Sequence, residues 1–259
     1  MTKTTLTNSI QTQLNKGEKA FIPYIMGGDG SLTEQILFLQ EAGATAIEVG
    51  IPFSDPVADG PTIQRAGERA LQNGVTLRTI LDELREIRAE VTIPLIIMSY
   101  INPILSYGID AFAQACTNSG VYGLIVPDVP LEESDMLKSA FLETDVALIP
   151  LVSLTSPPDR IDKIVTAGEG FIYAVTVNGI TGVRDGFDEQ LEKHLKQLKE
   201  LSPVPVLAGF GISTPEQVKS IGSLADGVIV GSSIVEAFHQ KELEKIRELV
   251  VAAKKRVLN

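Results

Sequence analysis

The sequence holds one cysteine and no tryptophan in 259 residues. A single cysteine excludes an internal disulfide and a cysteine-based metal cluster. It lies in the run Phe112-Ala113-Gln114-Ala115-Cys116, a small and apolar setting that suits a buried helix residue. A reactive thiolate needs an electropositive neighbourhood, which is missing here. Positive charge is scarce as well, with 22 Lys and Arg against 33 Asp and Glu, a net charge of -11. That balance, with no basic stripe, excludes the electrostatic footprint of a nucleic-acid binder and argues against anionic lipid. No apolar stretch reaches the length of a membrane span. The only two histidines, His194 and His239, fall in helical patterns away from strand ends, which makes a histidine base or metal site there improbable. No lysine terminates a strand pattern, so Schiff-base aldolase chemistry lacks its nucleophile. The first sixteen residues lack acidic groups but also lack Arg, and Leu6, Ile10 and Leu14 recur at helical spacing. They read as an amphipathic helix against the body of a cytosolic protein rather than a transit peptide.

What is present is a large core: 44% of residues are hydrophobic and 21% charged. Short apolar runs at 21–25, 46–49, 95–98, 124–126, 146–149, 171–175, 204–208 and 227–230 alternate with amphipathic stretches. Leu77, Ile80, Leu81 and Leu84 mark one helix face, Leu191, Leu195 and Leu198 another, and Leu243, Ile246 and Val250 a third. Eight strand–helix units in one domain-sized chain predict a closed (β/α)8 barrel, a single domain over 1–259 with an extra N-terminal helix. A doubly wound sheet would show a G-x-G-x-x-G turn after its first strand. Met26-Gly27-Gly28-Asp29-Gly30 lacks that spacing. Pro205 falls inside a predicted strand, tolerable only near its start. Most units are about 22 to 28 residues long, but the second is about 48 and the sixth about 34. The extra length predicts long loops after strands 2 and 6, on the face where barrels build active sites.

Two features in those positions carry chemistry. Strand 7 runs into Ala208-Gly209-Phe210-Gly211-Ile212 and strand 8 into Val230-Gly231-Ser232-Ser233, the place where many barrels bind phosphate. Glycines let backbone N–H groups approach the anion, and a helix beginning at Ser232 would aim its dipole there. Gly179–182 could add further donors. With no Lys or Arg in the strand 7 and 8 loops, binding would rest on amides. The second feature is acidic. In Ala46-Ile47-Glu48-Val49-Gly50, strand alternation points Glu48 into the barrel if Ile47 and Val49 face the helices. A desolvated carboxyl is fitted to proton transfer near neutral pH. Asp59 follows eleven residues later in the overlong loop, where Asp-Pro and Asp-Gly also serve as ordinary turn formers. Folded over the mouth, it could meet Glu48 and share acid and base roles. Tyr173, ending strand 6, is a barrel-filling aromatic or a substrate contact. On these residues alone, a sugar-phosphate isomerase or epimerase also fits.

The run Glu48-Val49-Gly50-Ile51-Pro52-Phe53-Ser54-Asp55-Pro56-Val57-Ala58-Asp59-Gly60-Pro61 closely resembles the signature of the tryptophan synthase alpha subunit. The likeness continues through Phe21-Ile22-Pro23-Tyr24, Val126-Pro127-Asp128-Val129-Pro130, Gly179-Ile180-Thr181-Gly182 and Gly209-Phe210-Gly211-Ile212. The resemblance implies a lyase that cleaves indole-3-glycerol phosphate to indole and glyceraldehyde 3-phosphate. It implies that Glu48 is the general acid/base and that Asp59 accepts a hydrogen bond from the indole N–H. Phe21, Tyr173 and Phe210 would then line the substrate pocket, Thr181 would position Asp59, and Gly182, Gly211, Gly231 and Ser232 would cradle phosphate. The resemblance also implies no metal and no cofactor in this chain, and a partner beta subunit holding pyridoxal phosphate in an alpha2beta2 heterotetramer. Pro52 and Asp55 would face that partner. Some family members carry an arginine where this chain has Val177.

Overall fold

Strand residues divide between two separate cores. On β1 (Ala20–Met26), Ala20, Ile22, Tyr24 and Met26 join an inner cluster with Ile96, Ile125, Ile149, Phe171, Leu207 and Ile229. Phe21 and Ile25 join an outer cluster with Ile47, Val49, Ile97, Leu124 and the apolar helix faces. Period-two alternation in a sheet covered by helices on its outside and closed on its inside produces this split. The computed structural model describes residues 3–176, 189–209 and 211–254. Among them, eight further strands follow β1: β2 (Ile47–Gly50), β3 (Leu95–Met98), β4 (Val121–Ile125), β5 (Ala147–Leu148), β6 (Leu151–Ser153), β7 (Ile172–Val175), β8 (Val206–Gly209) and β9 (Gly227–Val230). Their order is β5-β4-β3-β2-β1-β9-β8-β7-β6, and every pairing is parallel.

The two ends of that order, β5 and β6, are consecutive in the chain, so they are one barrel strand in two pieces. The single strand expected at 146–149 is thereby corrected. Pro150 lies at the break and has no N–H to give to a ladder. The ring still closes around it, because Ile149 N donates to Leu124 O at 2.9 Å and Tyr173 N donates to Pro150 O at 3.0 Å. Pro205, the proline that falls inside a predicted strand, lies just outside β8, and its carbonyl accepts from Ile172 N at 2.8 Å. The extra length after β2 is a ten-residue connection at 51–60 followed by two helices, Pro61–Gln72 and Leu77–Ile87. Of the connection after the sixth barrel strand, only Thr176 lies within the described residues.

The N-terminal helix Thr5–Asn15 buries Leu6 and Ile10 in the inner cluster, closing the end of the barrel where the strands begin. Burial of each such side chain stabilises the fold by roughly 1.5–3 kcal/mol. Thr7 Oγ1 donates to Gly170 O at 2.8 Å and Ser9 Oγ to Thr45 O at 3.0 Å, fixing the helix there. The helix faces read from sequence are buried, except that Leu243 is exposed at the start of Leu243–Lys254. Cys116 is buried in Ile109–Asn118, and burial pushes its thiol up, away from thiolate chemistry. Among the described residues, no helix is long and apolar enough to cross a membrane.

Candidate active site

With the far end closed by the N-terminal helix, the strand carboxyl ends form the open mouth. Glu48 lies on β2 opposite Tyr24 of β1, both pointing inward. It is 1% exposed, and its Oε2 has no hydrogen-bond partner. A carboxylate in that position would be a charge without water or donor, so the proton is held instead. Burial, aided by the nearby Asp59, pushes the Glu48 carboxyl up to about 8. At neutral pH it is therefore mostly a neutral acid.

The connection after β2 brings Asp59 back over the mouth. Gly60 and Pro61 begin the helix Pro61–Gln72 at once, and proline at the first helical position pre-sets the backbone angle. Asp59 is thus fixed within a residue of a rigid element. Tyr100, just past β3, pins the loop from the other side. Its hydroxyl accepts from Ala58 N at 2.9 Å and donates to the Asp59 carboxylate, and its ring stacks on Phe53 at 5.1 Å. Asp128 fixes Tyr100 in turn by accepting from Ile101 N at 3.0 Å. Burial raises the proton affinity of Asp59, while the Tyr100 hydroxyl opposes that rise. The two acids are unequal: one is buried without a donor, the other is half-buried with one.

Two tyrosines complete the interior. Tyr24 and Tyr173 are both buried, and both phenols are pushed well above the ordinary tyrosine value by desolvation, with the acids adding to it. Each lies across a glycine. A Cβ at Gly50 would come within 1.9 Å of the Tyr24 hydroxyl, and one at Gly209 within 2.5 Å of the Tyr173 ring. These two inward strand-end positions must lack a side chain for the rings to lie where they do. Phe21 is a correction. It is three residues from Tyr24, hence on the opposite face of β1, and it packs in the outer cluster against the helices. Tyr24 takes the interior place that the sequence reading gave to Phe21.

At the mouth, the connections after β8 and β9 meet. Ser233 Oγ donates to Ser213 O at 3.0 Å, and the helix Ser232–Gln240 begins directly after Gly231. Its first turn has no acidic residue, and Ser232 and Gly211 are exposed. Gly211 has φ +74°, with open space where a Cβ would be. Thr176 ties the sixth barrel strand to the seventh, donating through N and Oγ1 to Gly209 O at 3.0 and 2.7 Å. Val177, Thr181, Gly182 and Phe210 lie outside the described residues. Of the two residues expected at a partner surface, Asp55 is exposed and Pro52 is buried. The sequence reading missed Tyr100 and Tyr24. An aromatic directly after a barrel strand was the signal for the first, and the alternation of β1 was the signal for the second. Among the described residues, no group of three or more His, Cys, Asp or Glu could hold a metal.

Fold and site together define an α/β-barrel enzyme whose open mouth carries two carboxyls in unequal environments. The tryptophan synthase alpha chain family model matches residues 10–257. A tryptophan synthase alpha chain from Bacillus cereus (strain B4264) is 52% identical over 250 residues, covering 95% of this chain and 97% of that protein. One from Bacillus mycoides (strain KBAB4) is 53% identical over 241 residues, covering 92% and 93%. A chain of tryptophan synthase from M. tuberculosis, in its aminoacrylate-bound form, superposes with a TM-score of 0.87 at 32% identity, covering 98% of this chain and all of that one. The alpha chain from Legionella pneumophila gives 0.85 at 33%, covering 98% and 97%. The chain belongs to the tryptophan synthase alpha chain family, the lyases that release indole and glyceraldehyde 3-phosphate from indole-3-glycerol phosphate in tryptophan biosynthesis.

Proposed function

We propose that Glu48 and Asp59 divide the proton work of this lyase reaction. Glu48, protonated at neutral pH, donates to C3 of the indole ring of indole-3-glycerol phosphate. The positive charge that develops on the ring is offset by Asp59, whose carboxylate accepts a hydrogen bond from the indole N–H. The bond from C3 to the carbinol carbon then breaks and its electrons return to the ring. The carbinol hydroxyl gives its proton to the Glu48 carboxylate and becomes the aldehyde of glyceraldehyde 3-phosphate. No imine is needed, because the aromatic ring takes up the electrons. What carries this reading is the buried Glu48 carboxyl with its bare Oε2 and a pKa of about 8.

The interior that Tyr24 and Tyr173 line is the proposed indole pocket. The amides at Gly211 and Gly231 and the start of the helix at Ser232 are the proposed phosphate cradle, with Thr181, Gly182 and Phe210 as further contacts. No metal and no cofactor takes part in this chain's reaction; pyridoxal phosphate belongs to the beta subunit. That subunit is the partner, in an alpha2beta2 assembly in the cytoplasm, with the exposed Asp55 facing it and the whole of 1–259 forming one domain. Glu48→Gln and Asp59→Asn are each expected to bind substrate and to release indole at least a hundredfold more slowly. Full turnover by either variant would overturn that residue's role.

A further inference from the structure

Arg69 has no part in the scheme above. It lies in the last turn of the helix Pro61–Gln72 and forks onto Asp29, Nε to Oδ1 at 2.7 Å and Nη2 to Oδ2 at 2.6 Å. Asp29 stands in the connection just past β1, at the mouth end of that strand. Its side chain is 12% exposed and that of Arg69 31%. Two parallel bonds, partly shielded from water, fix direction as well as distance. The connection is itself tied down: Asp29 N donates to Met26 O at 3.1 Å, and Gln35 Nε2 donates to Asp29 O at 2.8 Å. At the other end of the same helix stands Asp59. Gln64 Nε2 donates to Asp59 O at 2.8 Å, which ties the acid to the first turn. Ile63, in that turn, is buried in the inner cluster. A rise of 1.5 Å per residue puts Arg69 roughly 12 Å along the helix from Pro61.

We propose that Arg69 is a positioning residue for the lyase reaction: forked onto Asp29, it sets the helix Pro61–Gln72 against the end of β1 and so holds Asp59 over the mouth. The inference rests on the reading of Asp59 as the acceptor for the indole N–H. Tyr100 fixes the Asp59 carboxyl from the β3 side, and Arg69 fixes the backbone that carries it. Both matter, because a hydrogen bond to the indole N–H depends on distance and on angle. The fork also selects its partner. Glu236, on the helix Ser232–Gln240, is a second negative charge near Arg69. A lysine at 69 would have no fork, and as a point charge it would settle between Asp29 and Glu236. The position of the helix is then set by the shape of the guanidinium, with its charge alone insufficient.

The test uses the full chain with the beta subunit present. Arg69→Lys keeps the charge and loses the fork; Asp29→Asn keeps the shape and loses the charge. Each is expected to lower kcat for indole release about tenfold with KM within about twofold, the loss that a displaced reacting group brings. The same two substitutions are then made in Asp59→Asn. With the carboxylate gone its position no longer matters, so each is expected to change the residual rate less than about twofold. An equal loss in both backgrounds overturns the proposal, and so does a wild-type kcat from either single variant. A tie that serves stability alone would lower the melting temperature and leave kcat unchanged, which also overturns it. Asp59→Asn separates the two levels. If it turns over normally, the reading of Asp59 fails and the role of Arg69 falls with it. If it is slow while Arg69→Lys and Asp29→Asn behave as wild type, only the role of Arg69 fails.

Discussion

Replacing Glu48 by Gln should stabilise the protein, and by an amount that depends on pH. The folded carboxyl titrates at about 8 against an ordinary glutamate value of 4.5. Between those values the unfolded chain has lost the proton and the folded chain keeps it. The folded state then binds more protons, so stability falls as pH rises through this window. Below pH 4.5 both states are protonated and the penalty vanishes; above pH 8 both are ionised and it is constant. One pKa unit is worth about 1.36 kcal/mol, so at pH 7 the burial of Glu48 costs roughly 3 kcal/mol. Gln has nearly the same shape and no proton to lose. Its own buried amide adds an offset that does not vary with pH, so the slope is the quantity to read. The stability of Glu48→Gln relative to wild type is expected to grow by roughly 2 to 3 kcal/mol between pH 5 and pH 7. Urea unfolding of both proteins at a series of pH values, with matched m-values, measures it. A difference that is flat with pH, or that shrinks as pH rises, would refute the assignment of Glu48 as a carboxyl buried in its neutral form.

Three further outcomes follow from the same geometry. Tyr100→Phe removes the donor to Asp59 and the acceptor for Ala58 N–H; loss of a hydrogen bond to a charged group, about 1.5–3 kcal/mol, predicts a tenfold to hundredfold drop in kcat/KM. The acid limb of its pH profile should move to higher pH, since Asp59 loses the interaction that favours its ionised form. Gly50→Ala places a methyl 1.9 Å from the Tyr24 hydroxyl and 2.4 Å from its ring carbon Cζ; overpacking of this kind costs about 1–3 kcal/mol, read as a lowered melting temperature together with reduced indole release. Gly211→Asp forces a side chain onto a backbone with φ +74° and brings a carboxylate to the proposed phosphate cradle. It should raise KM for indole-3-glycerol phosphate at least tenfold while leaving Glu48 titration unchanged, and unaltered KM would move the phosphate elsewhere.

The barrel was legible because its signal is local and repeated. Apolar runs bounded by Gly, Pro, Asp or Ser recur with amphipathic stretches between them, and eight such units leave few arrangements. Glu48 was legible for the same reason: with Ile47 and Val49 committed to the helix side, the residue between them must point inward. Phe21 shows the limit of reading by likeness. A motif places an aromatic near a strand end without saying which face it occupies, and counting along β1 from Ala20 would have chosen Tyr24. The break at Pro150 was hidden because the apolar run reads continuously through it to Val152, and only the neighbouring ladders show which N–H is missing. The bond from Tyr100 to Asp59 joins residues 41 positions apart, and nothing local to either side announces it.

The most direct test of the account is indole release from indole-3-glycerol phosphate by the wild-type chain and by Glu48→Gln, each with and without a tryptophan synthase beta subunit. The account predicts that wild type releases indole, faster when the beta subunit is present, and that Glu48→Gln binds the substrate but releases at least a hundredfold less in both conditions. Turnover by Glu48→Gln at the wild-type rate would contradict it, because the buried carboxyl would then not be the acid that starts the cleavage.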